Sequence, residues 1–130
     1  MDDYAIVNLK DVQDSAVQFG HSPDLEARFA RDELGCERTG ISYQRFAAGV
    51  RQPFAHRHGG DEEIYVVLSG RGRIRVGAEE VEIGPLDAIR VAAGTTRAFA
   101  AGVSEPLEIL AFGQHSADDA GEMLPPDWPG

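Results

Sequence analysis

Short stretches in which polar and apolar residues alternate occupy the middle and the end of the chain. Such alternation places the apolar side chains on one face of a strand, so it predicts half-buried β-strands. The clearest apolar run covers residues 64–68 and ends at Ser69-Gly70. Further strands are predicted over residues 73–76, 80–83, 88–91 and 107–112. The first four of these strands begin 7 to 9 residues apart, a short spacing typical of an antiparallel sandwich or barrel and not of βαβ units.

The pattern is weaker near the N-terminus. Residues 6–9 are predicted as an edge strand, and residues 39–46 alternate as a clearer one. Ser22-Pro23 has the composition of a helix start, but residues 25–29 alternate with the period of a strand, and we expect a strand there.

The last residues predict a tail instead of a strand. They are rich in Asp and Pro, and we expect Met123, Leu124 and Trp128 to fold this tail back onto the rest of the molecule. A chain of 130 residues forms one domain by default. We divide it into an N-terminal strand and loop segment (1–38), which packs on the barrel or swaps to a partner, a barrel (39–113) and a C-terminal tail (114–130).

The amino-acid composition limits the kinds of binding partner that we expect for this chain. Asp and Glu total 22 against 12 Lys and Arg, a formal charge of −10. That charge repels nucleic-acid phosphates and anionic lipid, so we expect neither nucleic acid nor membrane as a partner. No run of about 20 apolar residues exists, and the acidic N-terminus lacks the pattern of a signal peptide. With Cys36 as the single cysteine, a reducing cytoplasm is the expected location.

The candidate chemistry lies just before the clearest strand. His56 and His58 stand at i and i+2, on one face of a strand, and a glycine-rich turn at 59–61 leads to Glu62 and Glu63. If the strand after the turn pairs with the histidine strand, one carboxylate faces the imidazoles. Two imidazoles and a carboxylate leave open positions on a divalent ion, which suits Fe(II) and also Mn, Ni or Zn. The competing interpretation is two surface histidines beside a polar turn.

The wider spacing resembles the first motif of the cupin family. Gly49 is followed after six residues by His56, after one by His58, after four by Glu63 and after six by Gly70, with one extra residue before the first histidine. In this resemblance the distance to Gly70 selects Glu63 over Glu62 as the ligand. The chain is also similar to small single-domain bacterial cupins of the conserved type 2 barrel. The resemblance implies an all-β double-stranded β-helix (a jelly-roll or cupin barrel), a divalent metal, a small-molecule ligand and a homodimer.

The second cupin motif departs from the family at its ligand position. Gly94 is present, but three residues later Arg97 stands where the family has a histidine, and Ala101 stands at the closing asparagine. Arginine cannot ligate a cation, because it stays protonated and offers only donors. It can pair with Glu63 and replace the metal, hold an anionic substrate group beside a three-ligand metal, or turn outwards as a structural residue.

Three further residues are candidates for the pocket. Tyr65 shares the strand alternation of Glu63, and Gln44 lies on a strand leading to the motif, so we expect both to bind substrate together with Arg97. For Tyr65, core packing is the competing interpretation. His115 follows the last strand and could supply a missing ligand.

Three classes of function stay open at this point. The resemblance implies a metal-dependent enzyme of oxygenase, isomerase or decarboxylase type. The alternatives are a metal-free small-ligand-binding module, in which Arg97 pairs with Glu63, and a structural protein whose cavity serves no ligand.

Overall fold

Strands make up most of the regular structure in the computed structural model, which describes residues 3–114, 116, 119 and 121–129. Among these residues the strands are β1 (Leu25–Phe29), β2 (Thr39–Phe46), β3 (Ala55–Arg57), β4 (Glu63–Ser69), β5 (Gly72–Val76), β6 (Glu79–Ile83), β7 (Ala88–Val91), β8 (Arg97–Ala101), β9 (Leu107–Gln114) and β10 (Glu122–Leu124). Three short helices precede β2: a 3₁₀-helix (Leu9–Asp11), α1 (Ser15–Gln18) and α2 (Arg31–Leu34). No helix in this part of the chain combines the length and apolar character needed to cross a bilayer.

The strands pair into two antiparallel sheets of five strands each. The first has the order β1-β2-β9-β4-β7, and the second has the order β10-β3-β8-β5-β6. Strands that are consecutive in sequence therefore often lie in different sheets, as in a jelly roll. This arrangement confirms the expected all-β double-stranded barrel.

The core lies between the two sheets and takes side chains from both. Phe46 of the first sheet stacks on Phe99 of the second, with ring centroids 5.6 Å apart, and Tyr65 meets Phe99 at 4.8 Å. Other fully buried side chains here are Val67, Ile74, Val91, Leu107 and Ile109. Each such side chain contributes roughly 1.5–3 kcal/mol on burial, so this layer is the main source of stability.

An ion cluster holds the N-terminal segment on the outer face of the first sheet. The Glu26 side chain, 8% exposed, accepts hydrogen bonds from Lys10, Arg28 and Arg45. Burial alone would raise the pKa of Glu26, but hydrogen bonds from Lys10, Arg28 and Arg45 outweigh it and lower that pKa to about 2. The carboxylate is therefore charged in the folded protein at any ordinary pH.

One glycine of the expected motif is required by a close approach of the backbone. Gly70 ends the β4 region at φ +82°, and a Cβ there would lie 1.9 Å from the carbonyl oxygen of Pro106. No side chain fits this position, which explains a glycine at the end of the apolar strand.

Several predictions of individual elements need correction. Residues 6–8 are not a strand, and the 3₁₀-helix follows them because Asn8 caps it, its side-chain oxygen accepting from the Lys10 N–H. β8 has no alternation, since all five of its residues are buried, and it was not predicted as a strand. The strand predicted over 25–29 is present as β1.

The tail lies back on the barrel. β10 pairs with β3, and the indole N–H of Trp128 donates to the carbonyl of Gln52 at 2.9 Å. Met123 is 63% exposed, so its side chain does not anchor the tail as expected. The bounds 1–38, 39–113 and 114–130 stay a prediction.

Candidate metal centre

The predicted ligands come from both sheets. His56 lies in β3 of the second sheet and His58 directly follows that strand, whereas Glu63 is the first residue of β4 in the first sheet. The hypothesis that these two strands pair is therefore wrong. The turn at 59–61 crosses from one sheet to the other, and Glu63 reaches the imidazoles across the barrel interior.

The three side chains converge on one point. One donor atom from each of His56, His58 and Glu63 lies within 4.8 Å of the other two. His56 Nε2 lies 3.7 Å from Glu63 Oε1. The imidazole rings have centroids 5.5 Å apart at 84°, so they present their edges from different directions. All three residues are half-buried, which leaves the centre within reach of a small molecule.

Arg97 enters the same centre from the adjacent strand. It is the first residue of β8 and stands opposite His56 in the β3–β8 pair. Its side chain is fully buried, which rules out the outward orientation. Nη2 donates to Glu63 Oε1 at 3.3 Å, Nε donates to the Tyr65 hydroxyl at 3.1 Å, and Nη1 donates to the Thr95 carbonyl at 2.9 Å. The structure therefore shows Arg97 paired with Glu63, which is compatible with both inward-facing alternatives.

Tyr65 links the arginine to the carboxylate. Its hydroxyl donates to Glu63 Oε1 and lies 3.4 Å from His56 Nε2. Burial, and next the negative charge of Glu63, raise the pKa of Tyr65 well above its ordinary value. The phenol therefore stays neutral and keeps the proton that it donates.

Glu63 is held in its charged form. Burial by itself would raise the pKa of Glu63, but the neighbouring His56, Tyr65 and Arg97 side chains outweigh it. The net effect lowers this pKa, so a carboxylate is present as a candidate ligand.

Small residues border Glu63 on the inner face of the first sheet. The pairing places Gly40 and Gly113 in one row with Glu63. Ser42 and Ala111 form the next row, together with Tyr65. Apart from Tyr65, these neighbouring positions therefore carry no large side chain.

Gln44 lies one row further from the candidate ligands. It pairs in register with Ile109, which in turn stands opposite Val67, and its amide donates to Ser42 Oγ at 3.1 Å. The structure thus brings Tyr65 and Arg97 into contact with Glu63, and it places Gln44 on the same inner face with Ser42 between.

One carboxylate of the site was not anticipated from the sequence. Asp119 Oδ1 accepts from the Gly59 N–H at 3.1 Å, and Oδ2 accepts from the Gly60 and Asp61 N–H groups, each at 2.8 Å. These bonds, the one from Gly60 first, lower the pKa of Asp119 to about 2. Asp119 Oδ1 also lies 3.5 Å from His58 Nδ1. No signal marked it, since Asp119 is one of several acidic residues in a tail; His115, the other tail candidate, is outside the described residues.

A separate depression lies away from these residues. It has a volume of about 210 Å³ and is lined by residues of the 20–25 and 50–53 segments, among them His21 and Arg51. None of the predicted site residues lines it.

Comparison with known proteins agrees with the fold described above. The family model described as "Cupin domain" matches residues 42–113, more than half of the chain. A cupin protein from Bacteroides fragilis has a similar structure, with 24% identity over 91% of this chain and 89% of its own, at a TM-score of 0.73. The polyketide cyclase RemF from Streptomyces resistomycificus shares 18% identity over 97% and 87% of the chains, with a TM-score of 0.74.

A cupin-superfamily sugar phosphate isomerase from Silicibacter pomeroyi is also similar, with 16% identity over 95% of this chain and 83% of its own, at a TM-score of 0.74. At such low identities these likenesses concern the fold alone. A search of the curated proteins found no match.

Proposed function

The chain belongs to the cupin family, and on that premise we propose that it holds a divalent metal ion on His56, His58 and Glu63 and binds a small anionic organic molecule beside the ion. The observation that carries this proposal is the convergence of the three donor atoms within 4.8 Å. Bonds of about 2.1 Å to a shared ion would place such atoms about 3 to 3.5 Å apart, so small side-chain movements suffice.

The donor set fits a first-row divalent ion. Two imidazoles and one carboxylate occupy three positions and leave the others open, as in sites for iron, manganese, nickel or zinc. A bound ion supplies Lewis-acid chemistry at those open positions. The chain's own residues prepare the site, because Tyr65 and Arg97 orient the Glu63 carboxylate before any ion arrives.

The anionic class of ligand follows from the charges around the centre. Glu63 and Arg97 cancel each other, so a bound divalent ion and the Asp119 carboxylate behind His58 would together leave a positive net charge of about +1 at the half-buried centre. We propose that Tyr65, Gln44 and Arg97 contact the bound molecule, Arg97 by exchanging one of its present acceptors for an anionic oxygen. One protein of the same fold is a sugar phosphate isomerase, and phosphate is an anion of this kind.

We extend the proposal to catalysis of the oxygenase, isomerase or decarboxylase type, for which His56, His58 and Glu63 would hold the ion and Arg97, Tyr65 and Gln44 would orient the bound molecule. A homodimer in the cytoplasm is the proposed setting. The terminal strand β6, with four of its five residues exposed, supports association through a sheet edge. Size-exclusion chromatography with light scattering should give twice the mass of 14.0 kDa, and a monomer at micromolar concentration contradicts the dimer.

A second function is favoured by one specific observation. Every nitrogen of the Arg97 guanidinium already has an acceptor, one of them Glu63. In that arrangement the arginine replaces the metal, and the barrel binds a small molecule without an ion.

Metal analysis separates the two functions. Untagged protein, purified without chelators and then exposed to excess Zn²⁺ or Mn²⁺ and desalted, should retain about one ion per chain. His56→Ala and Glu63→Gln should each abolish retention. His21→Ala is the matched control, because His21 lies against Phe54 and outside the candidate centre, and it should retain the ion. Wild-type protein that retains no ion contradicts the metal site and favours the metal-free alternative.

A further inference from the structure

The C-terminal tail closes over the turn that joins the ligands. Asp119 accepts three backbone N–H groups of residues 59–61, the only residues between His58 and Glu62. In return, the buried carboxylate of Asp61 accepts from the backbone N–H and the hydroxyl of Ser116, at 2.8 and 2.7 Å. Each segment therefore supplies a carboxylate that accepts hydrogen bonds from the other, and these bonds hold the tail and the turn together.

The tail also packs directly on the His58 ring. A Cβ added at Gly121 would lie 3.1 Å from His58 Cε1 and 3.3 Å from Nδ1, so a glycine is needed for the backbone to pass there. Next along the tail, β10 pairs with β3 and places Met123 opposite His56. Both candidate histidine ligands thus have tail residues as neighbours.

One ring nitrogen of His58 lacks a hydrogen bond. Nδ1 is shut off from water and has no partner within hydrogen-bond geometry among the described residues. An acceptor, Asp119 Oδ1, lies 3.5 Å from this nitrogen. An unpaired N–H in such a place is costly, and a short movement of either group would form the bond.

We propose that Asp119 is a positioning residue: it accepts the Nδ1–H of His58, which keeps the proton off Nε2 and leaves the Nε2 lone pair facing the centre that His58 shares with His56 and Glu63. The inference rests on the proposed metal site, for which His58 must be neutral and must offer one defined nitrogen. Carboxylates placed behind metal-binding histidines act in this way and typically change metal affinity 10–100-fold.

Asparagine at position 119 provides a sharp test, because it has nearly the same shape. To keep an oxygen on the Gly60 and Asp61 N–H groups, its amide nitrogen must take the place of Oδ1, beside His58 Nδ1. A donor then replaces an acceptor at Nδ1. The neutral imidazole of His58 should then carry its proton on Nε2. A protonated Nε2 has no lone pair available to bind a metal ion.

The experiment has two readouts on wild-type protein, Asp119→Asn and the control Glu122→Gln. Long-range ¹H–¹⁵N NMR of the metal-free proteins at about pH 8, where imidazoles are neutral, reports the tautomer of His58. Titration with Zn²⁺ reports affinity. Glu122 lies in the same tail, and its replacement by glutamine removes one negative charge, as Asp119→Asn does. Its carboxylate pairs with Arg57 and not with the turn. Trp128 fluorescence checks that the tail stays docked in each variant.

The expected result is an Nδ1–H tautomer in wild type and Glu122→Gln, an Nε2–H tautomer in Asp119→Asn, and Zn²⁺ affinity 10–100-fold weaker in Asp119→Asn alone. An Nε2–H tautomer in the wild-type protein overturns the inference, whatever the variants do. Equal tautomer and affinity in Asp119→Asn and wild type also overturns it. If wild-type protein binds no Zn²⁺ while Asp119→Asn still switches the tautomer, the metal function fails and the positioning role is supported.

Discussion

At the scale of single residues, the centre depends on one carboxylate that three side chains share. Arg97 and Tyr65 donate to Glu63, and His56 Nε2 lies 3.7 Å from it. The Arg97 side chain is fully buried, so its charge is removed from water and must be balanced inside the protein. Arg97 therefore supports the fold as well as the site, in a position where the family carries a ligand.

Removing the guanidinium should destabilise the protein more than removing an exposed one. We expect Arg97→Met to lower the free energy of unfolding of the metal-free protein by about 3 kcal/mol, because the half-buried Glu63 carboxylate loses its buried cation. Urea denaturation followed by circular dichroism measures this change.

Arg90→Met is the matched control for Arg97→Met. Arg90 pairs with Glu62, the neighbour of Glu63, at 3.4 Å, but both side chains are more than half exposed. Such a pair contributes less than about 1 kcal/mol. Equal decreases in the free energy of unfolding in the two variants would show that the buried Arg97–Glu63 pair stabilises the protein no more than an exposed pair does.

The Glu26 cluster should make stability depend on pH in the acidic range. Its pKa of about 2 in the folded state lies below the 4.5 of an unperturbed glutamate. The unfolded chain therefore takes up the proton first, so the stabilisation is complete above pH 4.5 and is lost as the pH falls towards 2. At neutral pH this contribution of Glu26 to the free energy of unfolding is on the order of 3 kcal/mol.

Glu26→Gln removes this titration. The difference in unfolding free energy between wild type and Glu26→Gln should be largest at pH 7 and shrink steadily between pH 4.5 and 2. Glu105→Gln, at an exposed position, should show no such difference. A wild-type advantage over Glu26→Gln that does not change with pH would refute the assignment.

At the scale of elements, short connections between the sheets place the ligands. β3 and β4 belong to different sheets, and only residues 58–62 join them. Face-to-face sheets lie about 10 Å apart, so side chains from both can meet at one ion. Elsewhere in the barrel, a glycine is required where one backbone closely approaches another, as at Gly70.

Gly70 and Gly77 form a matched pair for this point. Both have positive φ, but a Cβ at Gly70 would lie 1.9 Å from Pro106, whereas a Cβ at Gly77 would meet nothing within 4 Å. Gly77→Ala should cost about 1 kcal/mol, the strain of the backbone alone. Gly70→Ala should cost more than about 3 kcal/mol, because the backbone must also move. Similar unfolding free energies for the two variants, measured in urea, would contradict the close approach.

At the scale of the whole molecule, a well-packed barrel core contrasts with a C-terminal tail that has little buried apolar surface. The core between the sheets is buried on both sides, whereas two of the three β10 residues are exposed. Hydrogen bonds, among them those of Asp119 and Trp128, hold the tail in place. Segments with little buried apolar surface open at a lower free energy than the core.

Trp128 reports on this difference, because it is the single tryptophan of the chain. We expect its fluorescence to change at a lower urea concentration than the far-ultraviolet circular dichroism of the strands. Gln52 belongs to the barrel, so loss of the Trp128–Gln52 bond marks release of the tail. Coincident transitions would mean that the tail and the barrel unfold as one unit.

Local pattern was enough for the amphipathic strands. The local pattern predicted β2, β5, β6 and β7, although in β6 only Ile83 is buried, and the spacing of His56, His58 and Glu63 indicated the candidate ligands. These features depend on a period of two residues and on short separations along the chain, and both are visible in the order of residues.

Tertiary structure decided everything that joins distant residues. β8 is buried on both faces and so shows no period, Arg97 could have pointed in or out, and the histidine and glutamate strands turned out to lie in different sheets. Asp119 reaches a turn 58 to 60 residues away. Such contacts form only when the two sheets pack over one core. Their free energy depends on segments that are distant in sequence, so no single segment determines them.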